Sequence, residues 1–332
     1  MNTILDLGIQ IILFLQGLGG WLKAPMKALS FLGTEQFFLL FAPLVLWCYD
    51  TALGLRLGLV LMLSNGLKDA LKIALHSPRP YWYSPDVKAF AAETSFGIPS
   101  GHAQNAAAFW GVLADGIRRR WAWILAILIA FLIGLSRLYL AVHFPTDVLA
   151  GWVIGALLLW AVLHWEPALL RWWKKQTITG QFLAAFLASL VIILLSVLAR
   201  LSLGAYVLPP EWIAQADQSY PDGPTLNPLA LTGAVSNAAA FFGLIAGAIF
   251  IRLKGGFKVP GQWGQYILRY LFGVVGVVAI WFGLDVLFGM IFPNDEAFLA
   301  LVCRYIRYGL VGAWMTGFAP WIFVKLRLAK SN

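Results

Sequence analysis

Three short stretches hold most of the reactive side chains in this chain: KIALHSPRP at 72 to 80, PSGH at 99 to 102 and SRLYLAVHFPTD at 136 to 147. In the third, His143 and Asp147 stand four residues apart, which stacks them on one face of a starting helix, or close to it if the helix begins late. A carboxylate so placed accepts from one ring nitrogen and fixes the tautomer. The other nitrogen then keeps its lone pair for attack on an electrophile. Lys72, Arg79 and Arg137 bring three cations, so the electrophile should be anionic, and guanidinium forks match phosphate oxygens. In the second stretch Ser100 and Gly101 open a helix whose free backbone N–H groups suit an anion, while His102 on its first turn can protonate a departing alkoxide. The pattern predicts phosphoryl transfer to a histidine. Fixed cations and helix dipoles would neutralise the charge on the phosphoryl oxygens, so no metal or other cofactor is expected.

The elements that position these residues are membrane helices. The chain has 332 residues, 61% hydrophobic and 12% charged, with mean hydropathy +0.79, which excludes an ordinary soluble domain and predicts an all-α, polytopic membrane protein. Apolar runs predict ten helices, at about 3 to 22, 34 to 49, 53 to 76, 100 to 117, 121 to 141, 147 to 165, 178 to 200, 228 to 252, 265 to 291 and 297 to 323. The loops with Arg118 to Arg120, with Arg171, Lys174 and Lys175, and with Arg252, Lys254 and Lys258 then share a side with the tail Lys325, Arg327 and Lys330. That side is expected to be cytoplasmic. The opposite, exoplasmic side receives residues 77 to 99, 136 to 147 and 201 to 227 and the turn with Asp295 and Glu296, so all three motif stretches meet at one membrane surface.

Residues 3 to 22 either cross the bilayer or lie in its interface, and crossing would leave Lys23 and Lys27 outside, against the charge rule. Because Lys23 is the first basic residue, no cleavable signal is expected and the opening apolar run should persist. The basic stretch 166 to 177 divides the chain into residues 1 to 170, a six-helix core with the active site, and residues 171 to 332, a four-helix membrane block. The net charge of +9 lies mostly in inter-helix loops, where it sets orientation; the bilayer, not nucleic acid, is the expected partner. Cys48 and Cys303 fall near opposite faces, so no disulfide is expected.

Lys72, Arg79 and Pro80, then Pro99, Ser100, Gly101 and His102, then Ser136, Arg137, His143 and Asp147 match the three-part signature of the type 2 phosphatidic acid phosphatase superfamily, which also includes vanadium haloperoxidases. The chain resembles that family over about its first half, with no motif position departing. The resemblance implies a six-span helical core, a phosphohistidine on His143, Asp147 as its partner and His102 as acid and later base. It implies a lipid phosphate substrate, hydrolysed as a monoester or pyrophosphate. The stretch FLGTEQFF and the WCYD helix end look most like the sphingosine-phosphate and long-chain lipid phosphatases. A phosphotransferase with another acceptor, and a phosphatase core fused to a lipid-transporting module, remain as alternatives.

Other polar residues have simpler readings. His76 fits a local hydrogen bond or a substrate contact, Glu35 a helix N-terminus or headgroup recognition, and Lys68 with Asp69 a structural pair or a snorkelling lysine. The aromatic loop from Pro80 to Phe90 is expected at headgroup level, as gate or anchor. Asp285 and Arg304 stand at similar distances from the turn at Asp295, so they are expected to pair, with Arg307 a turn deeper.

Overall fold

A computed structural model describes residues 2 to 292, 294 and 296 to 331. Among these the regular structure is helical: α1 Asn2–Gly17, α2 Lys23–Phe31, α3 Glu35–Cys48, α4 Thr51–Leu75, α5 Pro80–Tyr83, α6 Gly101–Ile117, α7 Arg120–Tyr139, α8 Pro145–Lys174, α9 Ile178–Ser202, α10 Pro210–Ser219, α11 Thr232–Leu253, α12 Trp263–Ile291, α13 Phe298–Ala313 and α14 Ala319–Lys325. Asp295, at the expected outer turn, lies outside the described residues.

Ten crossings were expected, but by length and composition six helical stretches among the described residues qualify: α7, α8, α9, α11, α12 and the continuous run Phe298–Lys325. The bent α1–α2 pair would make a seventh. The difference has a local cause in each helix. α3 is apolar but has 14 residues and α6 has 17, while the 25 residues of α4 include Arg56, Lys68, Asp69 and Lys72. Such helices are tolerated at membrane depth where protein surrounds their polar groups. Residues 3 to 22 do not form one straight span either, because Thr3–Gly17 and Gly20–Phe31 meet at 92°. Gly19 makes the corner at φ +118°, a conformation that an L side chain rarely adopts. Its carbonyl accepts from the Tyr139 hydroxyl at 2.8 Å.

The chain forms two compact units, each drawn from three segments. The first comprises Met1–Phe37, Leu67–Trp160 and Ser196–Ala230, the second Phe38–Gly66, Ala161–Leu195 and Leu231–Asn332.

The first unit is organised around α6. Ser100 caps this helix in an extended conformation, and its Ala-rich run is mostly buried. α8 lies directly against it. A Cβ on Gly151 would stand 2.6 Å from the Ser100 carbonyl oxygen, and one on Gly155 would stand 2.4 Å from that of Gln104. Only a residue without a side chain allows helices this close. α8 starts at Pro145, whose fixed φ suits a first helical position, and the Ser100 N–H donates to the Asp147 carbonyl at 2.9 Å. The two helix starts are thereby tied together.

Over these starts lies an aromatic cluster that includes Tyr81, Trp82, Phe96, Tyr139 and Phe144. Within the loop expected at headgroup level, Tyr81 and Trp82 are each 1% exposed and serve as core, because α5 folds inward at Pro80. Tyr83 donates to Asp6 Oδ1 at 2.7 Å.

In the second unit α11 and α13 approach through small residues. A Cβ on Gly243 would stand 2.1 Å from the Gly309 carbonyl oxygen. The π turn Trp314–Phe318 widens the helix beside this contact, where the Thr316 hydroxyl donates to the Leu244 carbonyl at 2.7 Å. The expected Asp285–Arg304 pair is corrected: Asp285 is bridged by Arg307, while Arg304 Nη1 donates to Ser236 Oγ at 3.4 Å. Both arginines line one small cavity with Asp285, and the carboxylate is in register with the deeper of the two.

Candidate active site

The catalytic candidates sit where four helix ends of the first unit meet: the end of α4, the start of α6, the end of α7 and the start of α8. Lys72, Arg79, Gly101, His102, Arg137 and His143 line one cavity of about 390 Å³. Ser100 and Asp147 lie behind its wall, 0% and 1% exposed. All three motif stretches thus contribute to a single pocket.

His143 occupies the corner before α8, and its Nδ1 is 3.2 Å from Asp147 Oδ2. The same oxygen accepts the Phe144 N–H at 2.9 Å. Asp147 is the third residue of α8, so its carboxylate closes the helix start as the second half of a capping box does, while also holding the imidazole. Nε2 lies 3.4 Å from Arg79 Nη1. An imidazole with its proton on Nδ1, facing the carboxylate, presents the Nε2 lone pair to a cation and to the cavity. Burial first, then Arg79 and Lys72, hold the His143 imidazole well below its ordinary pKa.

The Arg79 guanidinium is clamped by the chain. It donates through Nε to Ser95 O at 2.6 Å, through Nη1 to Val142 O at 2.8 Å, and through Nη2 to Ser95 Oγ and Phe96 O, each at 3.1 Å. Lys72 Nζ reaches Ser95 Oγ at 3.2 Å and the Phe96 carbonyl. Arg137 Nη1 donates to Ser30 Oγ at 2.6 Å, and Nη2 pairs with Glu93. Three buried cations are therefore fixed in direction before any anion arrives, which is what preorganised stabilisation of a phosphoryl group requires.

Among the described residues, Ser100 Oγ, His102 Nε2 and Arg137 Nε are buried and make no hydrogen bond. Buried polar atoms usually find partners, so the two on cavity-lining residues, His102 Nε2 and Arg137 Nε, mark a place shaped for a polar ligand. His102 packs against Gly33, where a Cβ would stand 3.1 Å from its Cδ2.

Sequence reasoning missed Glu93, Ser95 and Gly97. Glu93 Oε1 pairs with Arg137 Nη2, and Oε2 is 3.9 Å from Arg79 Nη2. Burial pushes this carboxyl up, but Arg79 and then Arg137 outweigh burial and hold it below the ordinary carboxylate range. A Cβ on Gly97 would stand 2.5 Å from Pro78 O and 3.0 Å from Asp147 Oδ2, so the loop runs hard against the His143 partner. One signal was available: Glu93 is the sole charged residue between Lys88 and His102. Lys68 and Glu35, assigned simple roles, also line the cavity; Lys68 Nζ is 3.3 Å from Asp69 Oδ1 and 3.8 Å from Glu35 Oε1. His76 makes the local contact, with Nδ1 3.1 Å from Ala74 O.

Comparison with known proteins gives a consistent picture. Residues 53–171 match the family described as the PAP2 superfamily, and residues 235–331 match the PAP2 superfamily phosphatase, transmembrane extension. The chain is 33% identical over 171 residues to phosphatidylglycerophosphatase B of Bacillus subtilis, covering 47% of this chain and 80% of that protein. It is 29% identical to glucose-6-phosphatase 3 of Homo sapiens, over 50% of this chain and 55% of that one. A crystal structure of a transmembrane PAP2-type phosphatidylglycerolphosphate phosphatase from Bacillus subtilis shares 29% identity, covering 54% of this chain and 90% of that chain with a TM-score of 0.44.

Proposed function

Since this chain belongs to the PAP2 superfamily and is a hydrolase of phosphoric monoesters or pyrophosphates, we propose that it removes the terminal phosphate from a membrane lipid through a phosphohistidine on His143, without a metal ion. The observation that carries this reading is the His143 geometry: Nδ1 held by Asp147 at 3.2 Å, with Nε2 directed to Arg79 in a cavity lined by further cations. The similarity to a phosphatidylglycerophosphatase favours a lipid over a soluble ester, and α7, long and apolar enough to cross a bilayer, brings Arg137 to the pocket from membrane depth.

In the proposed reaction Nε2 of His143 attacks phosphorus as the bond to the leaving oxygen breaks, and His102 gives that oxygen its proton. Asp147 stabilises the charge that the ring gains. Lys72, Arg79 and Arg137, with the Ser100–Gly101 helix start, hold the phosphoryl oxygens. His102 then takes a proton from water, the hydroxide attacks the phosphohistidine, and phosphate leaves with His143 restored.

We further propose that residues 1 to 170 carry this chemistry and 171 to 332 form an appended membrane block that lends Ser196–Ala230 to the first unit, with the site exoplasmic and the C-terminus cytoplasmic. Loop charge supports that orientation.

The test is phosphate release in detergent and chelator from a panel of lipid monoesters, lipid pyrophosphates and glucose 6-phosphate. Wild type should act on a lipid member and His143→Ala should lose at least about a thousandfold. Dependence on magnesium, or an active His143→Ala protein, overturns the mechanism. Preference for the sugar phosphate overturns the lipid assignment, and transfer to an added alcohol in place of water marks a phosphotransferase.

A further inference from the structure

We infer that Glu93 makes this pocket a charge filter: its carboxylate occupies the phosphate-binding arginines and yields them to a dianionic terminal phosphoryl group, but not to the monoanionic diester of ordinary membrane lipids. The inference rests on the proposed reading of the pocket as a phosphate site.

Glu93 is held in place from behind. The Tyr81 hydroxyl donates to the Glu93 carbonyl at 3.0 Å and accepts the Glu93 N–H at 2.9 Å, and Tyr81 is itself 1% exposed. In front, one carboxylate oxygen pairs with Arg137 and the other is 3.9 Å from Arg79, so a single monoanion bridges the two guanidiniums. Arg79 spends its donors on Ser95, Phe96, Val142 and His143, so it meets an anion as a fixed charge, and the donor that Glu93 holds and an incoming phosphoryl oxygen would take over is Arg137 Nη2.

A ligand must therefore exchange with a carboxylate. A phosphodiester brings one negative charge and two free oxygens, the same inventory as Glu93, and the swap gains nothing. A terminal phosphoryl group brings a second charge and a third oxygen, enough to satisfy the arginines and also Lys72 or the Ser100–Gly101 helix start. The side chain of Glu93 is 31% exposed, so once displaced it has a route to water and is not stranded as a buried charge. The filter matters because diester lipids form the surrounding medium, whereas a phosphomonoester lipid is a minor solute in it.

The experiment uses the full-length protein in detergent at pH 9 with two non-hydrolysable probes, methylphosphonate as dianion and its monomethyl ester as monoanion. Affinity is read from the ligand-induced rise in Tm, which needs no turnover. Wild type should bind the dianion in clear preference. Glu93→Gln, which frees the arginine charge, should bind the monoester at least about tenfold tighter with a smaller change for the dianion, since a charge-assisted hydrogen bond is worth about that factor. Glu93→Asp should keep the wild-type preference. If Glu93→Gln does not fold, Tyr81→Phe loosens the same carboxylate and should move the ratio in the same direction. An unchanged ratio in whichever of these two variants folds overturns the filter. Failure of wild type to bind the dianion at all counts instead against the phosphate-site reading.

Discussion

Asp147→Asn is the sharpest perturbation of the proposed mechanism, because it changes one atom and leaves the shape. The amide oxygen, placed where Oδ2 now stands, can still accept both the Phe144 N–H at 2.9 Å and the His143 Nδ1–H at 3.2 Å, so the start of α8 and the tautomer should survive. What is lost is the negative charge beside a ring that becomes positive once Nε2 bonds to phosphorus. An adjacent carboxylate favours the charged imidazole by about 1–3 pKa units, so its removal should slow formation of the phosphoenzyme by about ten- to thousandfold, about 1.4–4 kcal/mol in the barrier. The assay is phosphate release from the preferred lipid substrate, with acid-quench trapping of phosphoenzyme and Tm in detergent as the folding control. A rate within about threefold of wild type from a folded Asp147→Asn protein would refute the argument that the carboxylate stabilises the phosphorylated ring.

Three further outcomes follow from the same structure. His143 is held below its ordinary pKa, so the acid limb of kcat/KM should fall below about pH 6.5, and Arg79→Gln should move any limb due to His143 upward. The corresponding stability has a definite sign: a folded pKa below the unfolded one keeps the native state intact above about pH 6.5 and weakens it as pH falls toward the folded value, an effect that His143→Asn should reduce in Tm against pH. Gly155→Val places a side chain where the Gln104 carbonyl oxygen would stand 2.4 Å from its Cβ; it should cost about 1–3 kcal/mol and separate α6 from α8, read as lower Tm with lower activity. Asp285→Arg combined with Arg307→Asp should recover expression lost in either single variant, whereas no recovery would count against their direct pairing.

The gathering of the pocket's side chains was legible in the sequence because motif spacing encodes it locally. The four-residue step from His143 to Asp147 places both at a helix start whatever the rest of the chain does, and PSGH announces a helix N-terminus through its own residues. Helix class was equally legible from apolar runs long enough to cross a bilayer. Tertiary structure decided what depends on contacts distant in sequence. Composition made α4 and α6 look like ordinary spans and left residues 3 to 22 either crossing or interfacial, but whether a polar or bent helix is tolerated depends on the protein packed around it. The partner of Asp285 turned on one helical turn of register between α12 and α13, which helix positions alone do not resolve. Glu93 is the clearest case: it reads as a lone loop acid, and its role arises only because Tyr81 folds inward and aims it at arginines on two other segments. Local spacing fixes which groups share a helix turn; only the packed chain fixes which charges meet across it.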